Sequence, residues 1–152
     1  MARPISIASV LLVSALALTA CGGGSSQALS MQEYLQRADA ICQQGRQRFE
    51  NLGDELERSG QTANEKAHLM TEVMRGELDS LHELDPPAQR SAIESMLAME
   101  ATLIRNVENL ADATESDDQA ATQLALSEGR LQQQRLSGLA HQLGFRVCGG
   151  AG

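Results

Sequence analysis

From residue 31 to residue 143 the apolar side chains recur every three or four positions, the spacing that places them on one face of an α-helix. Polar or glycine-containing breaks divide this pattern into four segments, and no segment shows the strict alternation of a β-strand. Each segment is long enough to bury one apolar face against its neighbours. The pattern therefore predicts four amphipathic helices over residues 31–58, 63–84, 88–113 and 119–143.

Residues at the segment ends support these boundaries. Ser30 and Glu33 have the spacing of a capping box, and the same kind of pair recurs at positions 62 and 65. A residue before proline is pushed out of the helical region, so helix two is expected to end before Pro86, with Pro87 in the first turn of helix three. Gly144 is placed to adopt the left-handed conformation that often ends a helix.

Four amphipathic helices with short joints favour an up-down-up-down bundle. Residues 30–152 are therefore predicted to form one all-α, four-helix domain, large enough to bury a core. The fourth helix has the weakest pattern because Gly129, Gly138 and several polar residues interrupt it. Its apolar arc is expected to include Leu124 and Leu131.

The composition excludes one class of function. The chain has 152 residues, of which 42% are hydrophobic, and its 20 acidic and 12 basic residues give a net charge of −8. It has no Trp, one Tyr and two Phe, so it lacks the aromatic platforms on which bases stack, and its charge repels phosphate backbones. We therefore expect no nucleic-acid partner.

The N-terminal segment predicts export. Arg3 precedes an apolar run over residues 5–18, which is shorter than the roughly 20 residues that span a bilayer and is typical of a signal peptide. The next residues, Leu-Thr-Ala-Cys at 18–21, resemble the lipobox of bacterial lipoproteins. This resemblance implies that residues 1–20 are removed and that Cys21 is lipidated. The alternative is a plain signal peptide that leaves Cys21 as a free thiol.

A flexible tether is predicted to follow the lipidated cysteine. Residues 22–27 read Gly-Gly-Gly-Ser-Ser-Gln, a composition typical of flexible linkers, so residues 21–29 are expected to join the membrane to the helical domain. Removal of residues 1–20 deletes one base and no acid, which gives the mature chain a net charge of −9. The acyl chains, and not electrostatic attraction, are therefore expected to hold the protein at the outer face of the cell membrane.

Two cysteines remain once Cys21 is lipidated. Cysteines of exported proteins are usually paired, which favours a disulfide between Cys42 and Cys148. The residues after helix four must then fold back along helix one, and their extended length allows it. A disulfide that closes a loop of about 100 residues is expected to add on the order of 4 kcal/mol to the stability.

Three short stretches together resemble a group of small exported helical proteins and lipoproteins of high-GC Gram-positive bacteria. The stretches are Arg-Ala-Asp-Ala-Ile-Cys at 37–42, Leu-Asp-Pro-Pro at 84–87 and Gly-Phe-Arg-Val-Cys at 144–148. The resemblance implies an exported helical bundle with a disulfide. It contributes no catalytic residue, because the group has no established activity.

Four charged residues fall inside the predicted apolar arcs. They are Glu77 on helix two, Glu100 on helix three, and Glu128 and Arg135 on helix four. A buried charge requires a partner, and Glu100 and Arg135 are expected at similar levels of the bundle. One interpretation is a small polar cavity lined by carboxylates that holds a cation or a polar ligand. The other is a single ion pair that fixes the helix register, with the remaining carboxylates at the helix edges.

Other candidate chemistry is weaker. Glu65 and His68 have a Glu-x-x-His spacing like that of di-iron bundles, but His68, Asp79 and His82 are predicted on the solvent face, so no metal site or cofactor is expected. No nucleophile and base are spaced as in known hydrolases. The sequence thus predicts a lipid-anchored extracytoplasmic binding or envelope-interaction module without catalytic activity, whose candidate partner is an envelope protein. The alternative is a carrier of a small ligand or metal ion in the carboxylate-lined cavity.

Overall fold

A computed structural model of the chain describes residues 28–88 and 90–150. The predicted signal peptide, the lipidation site Cys21 and the tether residues before 28 lie outside these ranges. No β-strand occurs in the described part of the chain, so the prediction of an all-α, four-helix domain is confirmed. The elements are α1 (Met31–Arg58), α2 (Ala63–His82), α3 (Arg90–Glu115), α4 (Gln119–Leu143) and a short 3₁₀ turn (Cys148–Gly150).

The first two helices begin at the predicted capping boxes. The Ser30 hydroxyl accepts a hydrogen bond from the Glu33 backbone N–H (3.3 Å), and the Glu33 carboxylate accepts one from the Ser30 N–H (3.1 Å). Thr62 and Glu65 repeat this arrangement at α2. These hydrogen bonds, chiefly from the Ser30 side chain and from the Thr62 backbone, lower the pKa of Glu33 and of Glu65.

The joint between α2 and α3 differs from the prediction. Helix α2 ends at His82 and α3 begins at Arg90, so Pro87 precedes α3 and does not lie in its first turn. Pro87 is buried, and Leu84 packs against the core from outside a helix. Tertiary burial of these two side chains therefore fixes a longer connection than the proline rule alone predicts.

Neighbouring helices in the chain pack against one another: α1 against α2, α2 against α3, and α3 against α4. The C-terminal turn packs on both α4 and α1. The core between these elements is apolar. No helix within residues 28–88 and 90–150 is long and apolar enough to cross a bilayer. The largest fully buried side chains are Tyr34, Thr71, Leu81, Ile93 and Met96.

The buried face of α4 is not the predicted one. Leu124 and Leu131, which the pattern places in the core, are 58% and 48% exposed. The core instead receives Ala125, Leu136 and Ala140. This face lies one position further along the sequence, roughly 100° around the helix. It presents small side chains where the C-terminal turn packs, and an ideal Cβ on Gly149 would lie only 2.6 Å from the Ala140 Cβ.

The predicted disulfide and helix end are confirmed. Gly144 ends α4 with φ of 96°, and its left-handed conformation turns the chain back towards α1. Phe145 is buried there and packs edge-on against Tyr34, with ring centroids 6.3 Å apart. Cys42 and Cys148 then form a disulfide with Cα atoms 5.2 Å apart. The tail is therefore fixed to α1 by both an aromatic contact and a covalent bond.

Candidate functional site

A cleft of about 420 Å³, partly open to solvent, lies where α1, α2, α3, α4 and the C-terminal turn meet. Its volume is within the range of small-molecule sites. Most of its wall is apolar, and three carboxyl groups, one guanidinium group and one side-chain amide interrupt it. The lining residues are Cys42, Gly45, Arg46, Phe49, Glu50, Val73, Met74, Glu77, Glu100, Leu103, Gln133, Leu136, Val147, Gly149 and Gly150.

Glu77 enters the cleft from α2 and lies directly over Gly45 of α1. A Cβ at position 45 would overlap the Glu77 carboxylate, so the absence of a side chain there makes room for this group. Burial raises the pKa of Glu77 to about 7, although the nearby Arg46 and Arg48 guanidinium groups act in the opposite direction. The helical spacing of α1 places Gly45 on the same face as Ala38 and Cys42, but nothing in the sequence indicates that this position accommodates a carboxylate.

Glu100 enters the same cleft from α3. Burial raises the pKa of its carboxyl to about 7, and the charge of Glu77 acts in the same direction. Tyr34, on α1, is fully buried, and its hydroxyl has no hydrogen-bond partner among the described residues. Burial, and to a smaller degree the charge of Glu100, raises the pKa of Tyr34. The structure thus brings two of the four predicted charged residues together.

The other two predicted residues, Glu128 and Arg135, lie elsewhere. Both are exposed, and neither lines the cleft. The expectation that they lie inside an apolar arc is therefore wrong, as is the expected ion pair between Glu100 and Arg135. The reason is the rotation of α4, which turns the face with Leu124, Glu128 and Arg135 towards solvent. Gln133 is the polar side chain that α4 contributes to the cleft.

The carboxyl groups of Glu77 and Glu100 have no partner in the part of the chain that the structure describes. Within the described residues, Glu77 and Glu100 form no ion pair and accept no hydrogen bond. Both side chains are half-buried, so ionisation without a partner is disfavoured, and protonation or a bound ligand would relieve this cost. Among these same residues, no three His, Cys, Asp or Glu side chains are grouped as a metal ion would require. His68, Asp79 and His82 are exposed.

Asp39 holds the C-terminal tail in place, and the sequence analysis missed this role. Its carboxylate accepts hydrogen bonds from the backbone N–H groups of Arg146 (3.0 Å), Val147 (2.9 Å) and Cys148 (3.2 Å). Asp39 lies three residues before Cys42 and therefore on the same side of α1. That spacing, together with the Cys42–Cys148 pairing, is the signal that could have revealed the contact.

The tail forms one wall of the cleft. Gln133 donates a hydrogen bond from Nε2 to the Gly149 carbonyl (3.0 Å), and Arg46 donates from Nη2 to the Val147 carbonyl (3.4 Å). With Asp39 and the disulfide, these contacts attach the tail to both α1 and α4. The stretches at 37–42 and 144–148, which the sequence analysis noted as family-like, therefore form one structural unit beside the cleft.

Comparison of the chain with protein-family models, with curated proteins and with solved structures finds no match. The functional conclusions below therefore rest on the residues and geometry of this chain.

Proposed function

We propose that this protein is a lipid-anchored, extracytoplasmic binding module without catalytic activity, built as an up-down-up-down bundle. The observation that carries the proposal is the cleft, in which Glu77 and Glu100 lie in a largely apolar wall and have no hydrogen-bond or ion-pair partner within residues 28–88 and 90–150. Unsatisfied polar groups in an apolar cleft are typical of a ligand site. The described lining residues include no serine, histidine or free thiol, which favours binding over nucleophilic catalysis.

Three features support a location on the outer side of the cell membrane. The Cys42–Cys148 disulfide is of the kind that persists in oxidising compartments. The lipobox-like sequence at 18–21 would direct lipidation of Cys21, whose acyl chains would anchor the protein. The proposed tether would leave the cleft accessible to solvent. The likeness to exported lipoproteins of high-GC Gram-positive bacteria agrees with this location.

The anchor is tested by Cys21→Ser. We expect the wild-type chain to incorporate radiolabelled palmitate and to sediment with membranes, and the variant to incorporate none. Ser25→Ala, in the proposed tether, is the matched control and should behave as wild type. Equal labelling of the Cys21→Ser variant would contradict lipidation at this residue.

The cleft favours a small ligand over a protein partner, because its volume suits the former. We expect a photoreactive phenylalanine analogue at Phe49, which lines the cleft, to capture small molecules in living cells. Intact-mass analysis would then show adducts of a few hundred daltons. The same analogue at exposed Leu124, on the solvent side of α4, serves as control and should capture none. Adducts of protein size at Phe49 alone would favour an envelope partner, and no adduct would contradict binding in the cleft.

A further inference from the structure

Building on the proposed function, we infer that the cleft binds a small organic monocation with an apolar body, whose charged group lies between Glu77 and Glu100 and displaces their protons. The inference names the ligand class of the proposed binding site. It rests on the charge balance of the cleft, on its unpartnered polar groups and on its apolar wall.

The charge balance leaves one carboxylate without a counterion. Glu77 on α2 lies close to Arg46 and Arg48 of α1, whose charges favour its ionised form. Glu100 on α3 has no ion-pair partner among the described residues, and the charge of Glu77 disfavours its ionised form and raises its pKa. A single positive charge placed beside Glu100 would therefore neutralise the pair.

The other elements around the pair do not supply that charge. Glu50, on α1, is exposed at the rim of the cleft and adds negative charge. Helix α4 and the residues that follow it contribute Gln133, Leu136, Val147, Gly149 and Gly150 to the lining, none of which is charged. Arg46 is therefore the one positively charged side chain in the described lining, and a cationic ligand would supply the second positive charge.

Unpartnered polar groups give a second reason. The half-buried carboxyl groups of Glu77 and Glu100 have no hydrogen-bond or ion-pair partner among the described residues. An ammonium group presents three donors and could satisfy several carboxylate oxygens at once. Among the described lining residues, the side-chain donors Arg46 and Gln133 bond to the Val147 and Gly149 carbonyls and form no hydrogen bond to either carboxyl group.

The apolar wall favours an organic cation over a metal ion. Calcium takes six to eight oxygen ligands and magnesium six, whereas this cleft offers two half-buried carboxyl groups and no grouping of three acidic or His ligands in the described chain. A hydrocarbon body would instead bury its surface against the apolar wall. The apolar side chains available to it are Phe49, Val73, Met74, Leu103, Leu136 and Val147.

Binding should depend on pH. Both carboxyl groups have pKa values of about 7 in the free protein, so most are protonated at pH 6 and ionised at pH 8. An alkylammonium ion, with a pKa near the ~10.4 of lysine, stays charged throughout. Affinity should therefore rise about tenfold from pH 6 to pH 8 for each carboxylate that the ammonium group contacts.

The test is isothermal titration calorimetry on the full chain in phosphatidylcholine nanodiscs, with empty nanodiscs subtracted. The probes are hexylamine, hexanol and hexanoate, which share one apolar chain and differ in charge. We expect hexylamine to bind at least tenfold more tightly than hexanol at pH 8, with hexanoate weakest. The double variant Glu77→Gln/Glu100→Gln should reduce hexylamine binding to the level of hexanol and remove the pH dependence.

Two single variants test whether the position of the Glu77 carboxylate matters and provide a control for loss of a surface charge. Gly45→Ala moves the Glu77 carboxylate without changing any charge and should weaken hexylamine binding severalfold, while Glu72→Gln, on the exposed side of α2, should not. Equal binding of hexanol and hexylamine would overturn the cationic ligand and leave the cleft as an apolar site. Tighter binding of hexanoate than of hexylamine would also overturn the inference. So would calorimetric binding of a divalent metal ion that is lost in the Glu77→Gln/Glu100→Gln variant. If none of the three probes binds, the inference is wrong. Photocrosslinking at Phe49 tests the proposed binding function separately.

Discussion

Replacing Cys42 and Cys148 with serine will lower the free energy of unfolding by about 4 to 5 kcal/mol, because the disulfide closes a loop with a sequence separation of 106 residues. The larger part of this effect comes from the greater freedom of the unfolded chain. Chemical denaturation followed by far-ultraviolet circular dichroism measures it. The four helices should persist in the variant at low denaturant concentration.

Two controls separate the disulfide from the rest of the tail contacts. Reduction of the wild-type chain should give the same loss of stability as the double serine variant. Cys21→Ser, which leaves both cysteines of the pair intact, should not change the midpoint. A loss below about 1 kcal/mol in the double variant would show that Asp39 and Phe145 hold the tail without the covalent bond.

Stability will fall as the pH rises from 5 to 8. Glu77 and Glu100 have pKa values of about 7 in the folded protein against an ordinary value of 4.5, so the folded state binds more protons than the unfolded state between these values. The resulting stabilisation is fully present below pH 4.5 and is lost as the pH rises through 7. Its upper limit is about 3 kcal/mol for each carboxyl group.

Denaturant titrations at pH 5 and pH 8 test this dependence. The double variant Glu77→Gln/Glu100→Gln should be more stable than wild type at pH 8 and similar to it at pH 5, because glutamine imitates the protonated carboxyl group. Glu72→Gln, at an exposed position, should retain the wild-type pH dependence. Comparison below pH 5 is avoided, because the capping residues Glu33 and Glu65 have lowered pKa values and lose their stabilising charge there. An unchanged pH dependence in the double variant would contradict the burial of the pair.

The disulfide and the two half-buried carboxyl groups both belong to the cleft. The disulfide fixes the tail that forms one wall of the cleft, and the two carboxyl groups make the folded protein less stable at neutral pH than it would be without them. Destabilising groups that are retained in a cleft are typical of functional sites. A ligand that supplies the missing positive charge would recover this stability on binding.

Signals between residues within one helical turn were sufficient to predict the four helices. Capping boxes at Ser30 and Thr62 fix where α1 and α2 begin, and Gly144 fixes where α4 ends, since each involves residues within one turn of one another. The disulfide was also predictable, because counting the cysteines left one pair. At the connection that contains Pro87, the predicted end of α2 and the predicted start of α3 were each wrong by two residues. Burial of the Pro87 side chain is a tertiary effect that the local pattern does not show.

The candidate site was predictable in part. Glu77 and Glu100 were recognised because each lies on a helix whose apolar pattern is regular enough to assign its buried side. Glu128 and Arg135 were misplaced because α4 has apolar residues on two adjacent faces, and its pattern does not decide between them. Asp39 was missed because its partners are backbone N–H groups more than 100 residues away, which leave no side-chain pattern.

The sequence by itself determined four helices, their caps and one disulfide, because these depend on short-range periodicity and on a cysteine count. Only the tertiary structure decided how α4 is rotated, that Gly45 makes room for the Glu77 carboxylate, and that the tail closes a cleft around Glu77 and Glu100. The physical reason is that α4 buries whichever face fits the tail and its neighbouring helices. Packing between distant segments, and not hydrophobicity along one helix, determines that fit.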